Sequence, residues 1–178
     1  ATSVRSRAIK SSDTRPLPIY TPGDPITLTA LHPLEIARQM TLISQKMYRK
    51  IPPQELTDLK FASKNKETLA PNILAMTRLD TAISLWVASS ILDEASLQAR
   101  ASLIAKFITI SEHCMALNNY AGAISCTAGL AQSAVNRLKD TWAAVSEDHL
   151  KTYREILSLK DSNFKTYRSR IKGAVPPA

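Results

Sequence analysis

LQARASLIAKFITISEHCMAL, residues 97–117, is the stretch that decides the fold. Written on a helix, Ala101, Ile104 and Ile108 share one side, while Leu103, Phe107, Ile110, Cys114 and Leu117 share another. A helix that is apolar on two sides must be covered on two sides, so this segment is expected at the centre of a bundle. Ser96 precedes it as a side-chain cap, and Asp93-Glu94-Ala95 separates it from the segment before. Asn118-Asn119 breaks it.

Toward the N-terminus, a helix is predicted from Pro71, with Met76, Leu79, Ile83, Trp86 and Ile91 on one face. Residues 54–70 read as a short turn at Gln54-Glu55-Leu56 and then a polar loop carrying Phe61. An earlier helix opens at His32-Pro33 and places Ile36, Met40, Ile43, Met47 and Ile51 on one face until Pro52-Pro53 stops it. Residues 1–27 hold Pro16, Pro18, Pro22 and Pro25 and little periodicity, which predicts a flexible arm. Ile26, Leu28 and Leu31 are candidates to tack its end onto the body.

Toward the C-terminus, residues 120–131 are rich in small side chains and predict a helix suited to close packing. Residues 132–145 read as a looser connection. Ser146 is expected to cap a helix whose stripe is Leu150, Tyr153 and Leu157, with Glu147 and Asp148 favourable to its dipole. A last helix carries Phe164, Tyr167 and Ile171, and Gly173 ends it. Alternating strand patterns and fixed-length repeats are absent, so the expected class is all-α, an irregular multi-helix bundle.

Bulk properties agree. The 178 residues suit one domain or part of a larger protein, and 44% are hydrophobic, enough for a core. The chain begins with Ala1 and reads as an excised piece, without an apolar leader or an apolar run long enough to span a bilayer. The net charge is +8, which favours acidic partners. It gathers at the ends: Arg5, Arg7, Lys10 and Arg15 near the start, and Lys160, Lys165, Arg168, Arg170 and Lys172 near the finish. The last of these segments predicts an amphipathic helix with a basic side, for which a solvated face is the plain reading. Cys114 and Cys126 read as buried reduced thiols, consistent with a reducing cytosol.

Residues that carry chemistry are scarce. Four glycines, Gly23, Gly122, Gly129 and Gly173, fit no phosphate-cradling loop, and there is no nucleophile elbow. His113-Cys114 with Cys126 lacks a fourth ligand for zinc. His149 among Glu147, Asp148 and Lys151 reads as part of a solvated helix face. No nucleic-acid recognition motif accompanies the basic segments. Covalent chemistry, a metal, a cofactor and nucleic-acid binding are therefore not expected, and a protein-gripping module is.

Four stretches sharpen this expectation. They are His32-Pro33-Leu34-Glu35-Ile36-Ala37-Arg38-Gln39-Met40-Thr41-Leu42-Ile43, Ala70-Pro71-Asn72-Ile73-Leu74-Ala75-Met76, Leu117-Asn118-Asn119-Tyr120, and Arg137-Leu138-Lys139-Asp140-Thr141-Trp142. In this order and spacing the chain resembles, from about Leu28 to Pro177, the catalytic domain of Ras guanine-nucleotide exchange factors of the Son of sevenless type. Tyr167 to Pro177 also resembles that family's helix leading into a Pro-Pro turn.

The resemblance implies a helical fold with a shallow face for a Ras-family small GTPase. It implies binding of the switch regions and stabilisation of the nucleotide-free state, with no nucleotide bound by the factor itself. By position it implies GTPase-binding roles for Phe61, Met76, Thr77, Arg78, Asp80, Ile124, Leu130, Ser133, Asn136 and Phe164. Met76 and Ile124 serve equally well as core residues, and Phe61 as a loop anchor. The implied location is cytoplasmic, with recruitment to the inner face of the plasma membrane and peripheral contact with anionic lipid as a further expectation.

Two departures qualify the match. Where the family reads Asn-Ser-Ser-Pro-Val, this chain has Ala131-Gln132-Ser133-Ala134-Val135, without the asparagine amide. The family's catalytic helical hairpin is expected beyond Ala178, so residues 28–178 are expected to form the N-terminal portion of the domain. That portion alone is expected to be inactive, with bare apolar faces that favour self-association. The rival expectation is a degenerate, non-catalytic scaffold of the same fold that binds a small GTPase or another protein.

Overall fold

A computed structural model describes residues 27–173. These residues form ten α-helices, with no strand among them. In chain order they are α1 (Pro33–Tyr48), α2 (Pro53–Leu56), α3 (Lys66–Leu69), α4 (Pro71–Leu92), α5 (Leu97–Ala116), α6 (Tyr120–Leu130), α7 (Ser133–Asn136), α8 (Lys139–Ala143), α9 (Glu147–Leu157) and α10 (Asp161–Lys172). Short 3₁₀ segments, Thr57–Ala62 and Ser158–Lys160, join α2 to α3 and α9 to α10. The predicted arm, apart from Thr27, lies outside the described residues, as do Ile26 and the Pro176-Pro177 turn.

The two-sided pattern of residues 97–117 has the expected consequence. Leu103, Ile104, Phe107, Ile108, Ile110 and Cys114 are all buried, and α5 packs against α1, α4, α6, α8 and α9. Its end is built by the asparagine pair. Asn118 takes a left-handed φ of 59°, which asparagine tolerates better than most residues. The Asn119 amide then reaches the Cys114 carbonyl at 2.8 Å and the Asn118 amide reaches Met115 at 3.0 Å, satisfying carbonyls that a helix end leaves unpaired. The Asn119 side chain starts the next helix, its Oδ1 accepting from the Gly122 amide at 3.0 Å.

Helix α6 lies unusually close to α4. A Cβ added at Gly129 would sit 2.5 Å from the Ser84 carbonyl oxygen and 2.7 Å from the Val87 Cβ. The small residues therefore set the interhelical distance, and α4 and α6 act as one slab.

The lead-in to α1 is tied to the body. Leu28 packs on the core, and the Lys106 ammonium donates to the carbonyls of Thr29 and Leu31 at 2.8 and 2.6 Å.

The structure differs from the sequence reading in several places, and the polar loop expected after residue 56 holds the Thr57–Ala62 3₁₀ segment and α3. Helix α1 ends at Tyr48 rather than Ile51, because a residue ahead of proline is pushed out of the α region. Only its first half is buried, with Ile43 left 48% exposed. Residues 132–145 are not loose: they hold α7 and α8, pinned by the Trp142 indole donating to the Val135 carbonyl at 3.0 Å and stacking on Tyr153. Ser146 precedes α9 but makes no cap bond from its side chain; its hydroxyl lies 2.6 Å from Nδ1 of His149. His149 in turn is half-buried, with Nε2 3.4 Å from Thr109 of α5, and so joins two helices instead of facing water.

Candidate functional site

Helix α4 organises the candidate site, and its first turn is fixed from a distance. Ala70 offers no side chain to cap it. Glu55 of α2 does so instead: its carboxylate is buried and accepts from the Asn72 amide at 3.0 Å, the Ile73 amide at 2.9 Å and the Asn72 side chain at 2.6 Å. A carboxylate belongs at the positive end of a helix, and here it satisfies two amides the helix cannot satisfy itself. The next turns carry Met76, Thr77, Arg78 and Asp80, so Glu55 sets where they stand.

From that anchor the helix presents two adjoining depressions. The larger, about 480 Å³, is lined by Asp80, Thr81 and Ser84 of α4, Ile124 and Ser125 of α6, and Phe164 and Tyr167 of α10, together with neighbouring alanines. The smaller, about 290 Å³, is lined by Lys66, Glu67, Leu74, Thr77, Arg78, Thr81 and Leu85, with Ala82. Thr81 borders both, so the two form a continuous shallow surface across α4.

The polar groups have distinct settings. Asp80 is half-buried, and burial pushes its carboxyl above the usual carboxylate range; the Ser125 hydroxyl 2.9 Å away pulls it partly back. Burial also pushes the Tyr167 phenol up, with Tyr120 and Asp80 adding to the effect. Arg78 forms an ion pair with Glu67, both side chains about two-thirds exposed. Such a pair contributes only about 0–1 kcal/mol, so the guanidinium can turn to another carboxylate or carbonyl at little cost.

Of the residues singled out by sequence, Asp80, Ile124 and Phe164 meet at the larger depression, and Thr77 and Arg78 border the smaller. Met76 is half-buried on α4, and Phe61 is 38% exposed on the 3₁₀ segment; neither lines a depression. Ser133 and Asn136 are exposed on α7, just past the end of α6. Leu130 lines neither depression; it is 0% exposed within the core. Thr81, Ser84, Ser125 and Tyr167 were missed. Thr81 lies three residues after Arg78 and Ser84 four after Asp80 on α4, but only the packing of α6 and α10 against α4 brings Ser125 and Tyr167 to the same depression.

Nucleophilic chemistry has no foothold at the thiols. Burial pushes the Cys126 thiol up to about 12, and Cys114 is raised likewise by burial and by Cys126; a thiol so held is neither a nucleophile nor a ready metal ligand. No cluster of three metal-ligating side chains occurs among the described residues, and no helix of theirs is long and apolar enough to cross a membrane.

Comparison with known proteins places this geometry. Residues 35–178 match the RasGEF domain family. The chain is similar to Ras guanine nucleotide exchange factor Y of Dictyostelium discoideum, 40% identical over 144 residues, which is 80% of this chain and 10% of that protein. It is similar to the protein son of sevenless of Drosophila melanogaster, 33% identical over 156 residues, 88% of this chain and 10% of that one. Ras guanine nucleotide exchange factor A of Dictyostelium discoideum is 39% identical over 145 residues, 80% of this chain and 24% of the relative. The chain thus spans about a tenth to a quarter of the length of these relatives. With a matched region covering every element from α1 onward, an all-helical body and a shallow face on α4, α6 and α10, the chain belongs to the RasGEF domain family of Ras guanine-nucleotide exchange factors.

Proposed function

We propose that this domain binds a Ras-family small GTPase across α4, α6 and α10 and favours its nucleotide-free state, so that GDP leaves faster. The observation that carries the reading is the convergence of Asp80, Ile124 and Phe164 on one open depression, with Thr77 and Arg78 on the same helix beside it. An open, mostly apolar hollow with one desolvated carboxylate at its wall suits an aromatic side chain bearing a hydroxyl. A mobile guanidinium next to it suits backbone carbonyls and carboxylates of a partner loop. No covalent step is required of the domain. If it prefers the empty GTPase, nucleotide and domain weaken each other's binding by the same factor.

A second reading is supported by Ala131. It is exposed at the end of α6, where the resemblance implies an asparagine, so a methyl group faces outward beside Ser133 and Asn136. A domain that grips a GTPase without opening its nucleotide site would fit that loss.

The test is binding of the chain to a panel of Ras-type GTPases, loaded with GDP and nucleotide-free, together with release of a fluorescent guanine nucleotide. Tighter binding to the empty form, lost in Arg78→Ala and Ile124→Asp, is the expected result. Equal affinity for both forms would favour the scaffold reading, since a ligand indifferent to two states shifts neither. No binding to any GTPase, by a chain shown to be folded, would overturn both.

A further inference from the structure

We propose that Glu67 of α3 is an autoinhibitory residue: in the free domain its carboxylate occupies the Arg78 guanidinium, and a partner must displace it to take that donor. The inference rests on the reading that a GTPase docks across α4. Arg78 and Glu67 both line the smaller depression, together with Lys66 and Thr77. They stand 11 residues apart on different helices, so the pair is a tertiary contact and not a by-product of helical spacing. It is made through one nitrogen and one oxygen, Arg78 Nη2 donating to Glu67 Oε2. A guanidinium can grip a carboxylate with two parallel bonds, and this contact leaves that stronger geometry unused.

The setting suits a contact that opens. Both side chains are about two-thirds exposed. When Arg78 turns away, water takes over the Glu67 carboxylate, and no buried charge is left behind. Helix α3 is only four residues long and has no side-chain cap, so it gives Glu67 little rigidity with which to orient Arg78. Lys66, beside Glu67 in the lining, is exposed and joins no ion pair among the described residues. The two cations outweigh the one carboxylate there, so the depression stays positive with Glu67 neutralised. A pair that holds the donor without organising it acts as a competitor. The apparent affinity for a partner then falls with the fraction of the free domain whose Arg78 is already occupied.

The test is a double-mutant cycle on binding of the whole chain to nucleotide-free Ras-type GTPases, at one fixed ionic strength. Glu67→Gln removes the competing charge and keeps the size of the side chain. It should tighten binding by about two- to fivefold, the span of an exposed ion pair. In an Arg78→Ala background the same change should leave affinity where it was, because there is no donor left to release. Glu147→Gln is the charge control: it breaks a comparably exposed pair with Arg154 on α9 and should not alter binding. All these side chains are exposed, so melting temperatures should stay close to that of the parent. The proposal is overturned if Glu67→Gln weakens binding, which would make the pair an organiser of Arg78. It is equally overturned if Glu67→Gln leaves binding unchanged, or tightens it as much without Arg78 as with it. In each of these cases the parent still binds and the docking reading stands. If the folded parent binds no GTPase, the docking reading fails and this proposal falls with it.

Discussion

The Ser125 hydroxyl lies 2.9 Å from the Asp80 carboxylate and ties α6 to α4 at the wall of the larger depression. The same oxygen is 2.9 Å from the Ala121 carbonyl, so one proton serves two acceptors and the carboxylate is incompletely compensated. That agrees with its raised pKa, caused first by burial. A group whose folded pKa lies above its unfolded value adds stability at low pH and loses it as pH rises through the folded pKa. At neutral pH Asp80 is therefore a cost to the fold. Asp80→Asn keeps an acceptor for Ser125 and removes the desolvated charge. The expected outcome at pH 7 is an unchanged or higher melting temperature with weaker binding to the nucleotide-free GTPase, by about tenfold for a lost charged contact. A lower melting temperature with full binding would show that the carboxylate serves the fold and not the partner.

Glu55 gives a prediction of opposite sign. Its buried carboxylate holds two amides of α4 and the Asn72 side chain. Glu55→Ala leaves those donors unsatisfied and removes a charge from the helix N-terminus, at a cost of about 2–3 kcal/mol. Glu55→Gln keeps an acceptor and should cost about 1 kcal/mol. Urea unfolding of the three proteins checks the order, and hydrogen exchange should localise the first loss of protection to Asn72 and Ile73.

At Gly129 the prediction concerns spacing. The added methyl of Gly129→Ala meets the Ser84 backbone and the Val87 side chain well inside contact distance, so α4 and α6 must part. Overpacking of this kind costs about 1–3 kcal/mol. Because Asp80 and Ser84 lie on one helix and Ile124 and Ser125 on the other, the depression should widen as well. Loss of GTPase affinity beyond the loss of stability, measured at a temperature where the variant is fully folded, is the expected signature. Wild-type stability in Gly129→Ala would rule out the close approach.

The helices were legible because each rests on a local pattern. Residues 97–117 carry both apolar faces in their spacing alone, and Asn118-Asn119 marks the break by residue type. Glu55 was not legible, since its role as the cap of α4 depends on a contact across 17 residues that no periodicity encodes. The burial of Leu130 was not legible either, since its place near the end of α6 does not say which neighbours cover it. Arg78 and Asp80 emerged from the resemblance, while Thr81, Ser84 and Tyr167 needed the helices to be placed side by side. His149 was misread because Ser146 and Thr109 lie on opposite sides of it, and only one of them is near in sequence.

His113, near the end of α5, supplies the pH dependence. It is half-buried, and its pKa is lowered first by burial; Glu112 opposes this, and the positive charges of His32 and Arg38 add to it. Its folded pKa thus lies below the ordinary value near 6.5. Between the two, the unfolded chain holds more protons than the folded one, so stability rises with pH across that window. The imidazole's contribution is complete above pH 6.5 and declines as acid approaches the folded pKa. Moving from pH 7.5 to pH 5.5 should therefore lower the urea midpoint, in a range where most carboxylates remain ionised. His113→Gln, which keeps a polar side chain of similar reach and cannot take up a proton, should flatten the slope while leaving the midpoint at pH 7.5 close to that of the parent. If parent and variant lose stability equally between the two pH values, the proton is being taken up elsewhere and α5 is not the acid-sensitive element.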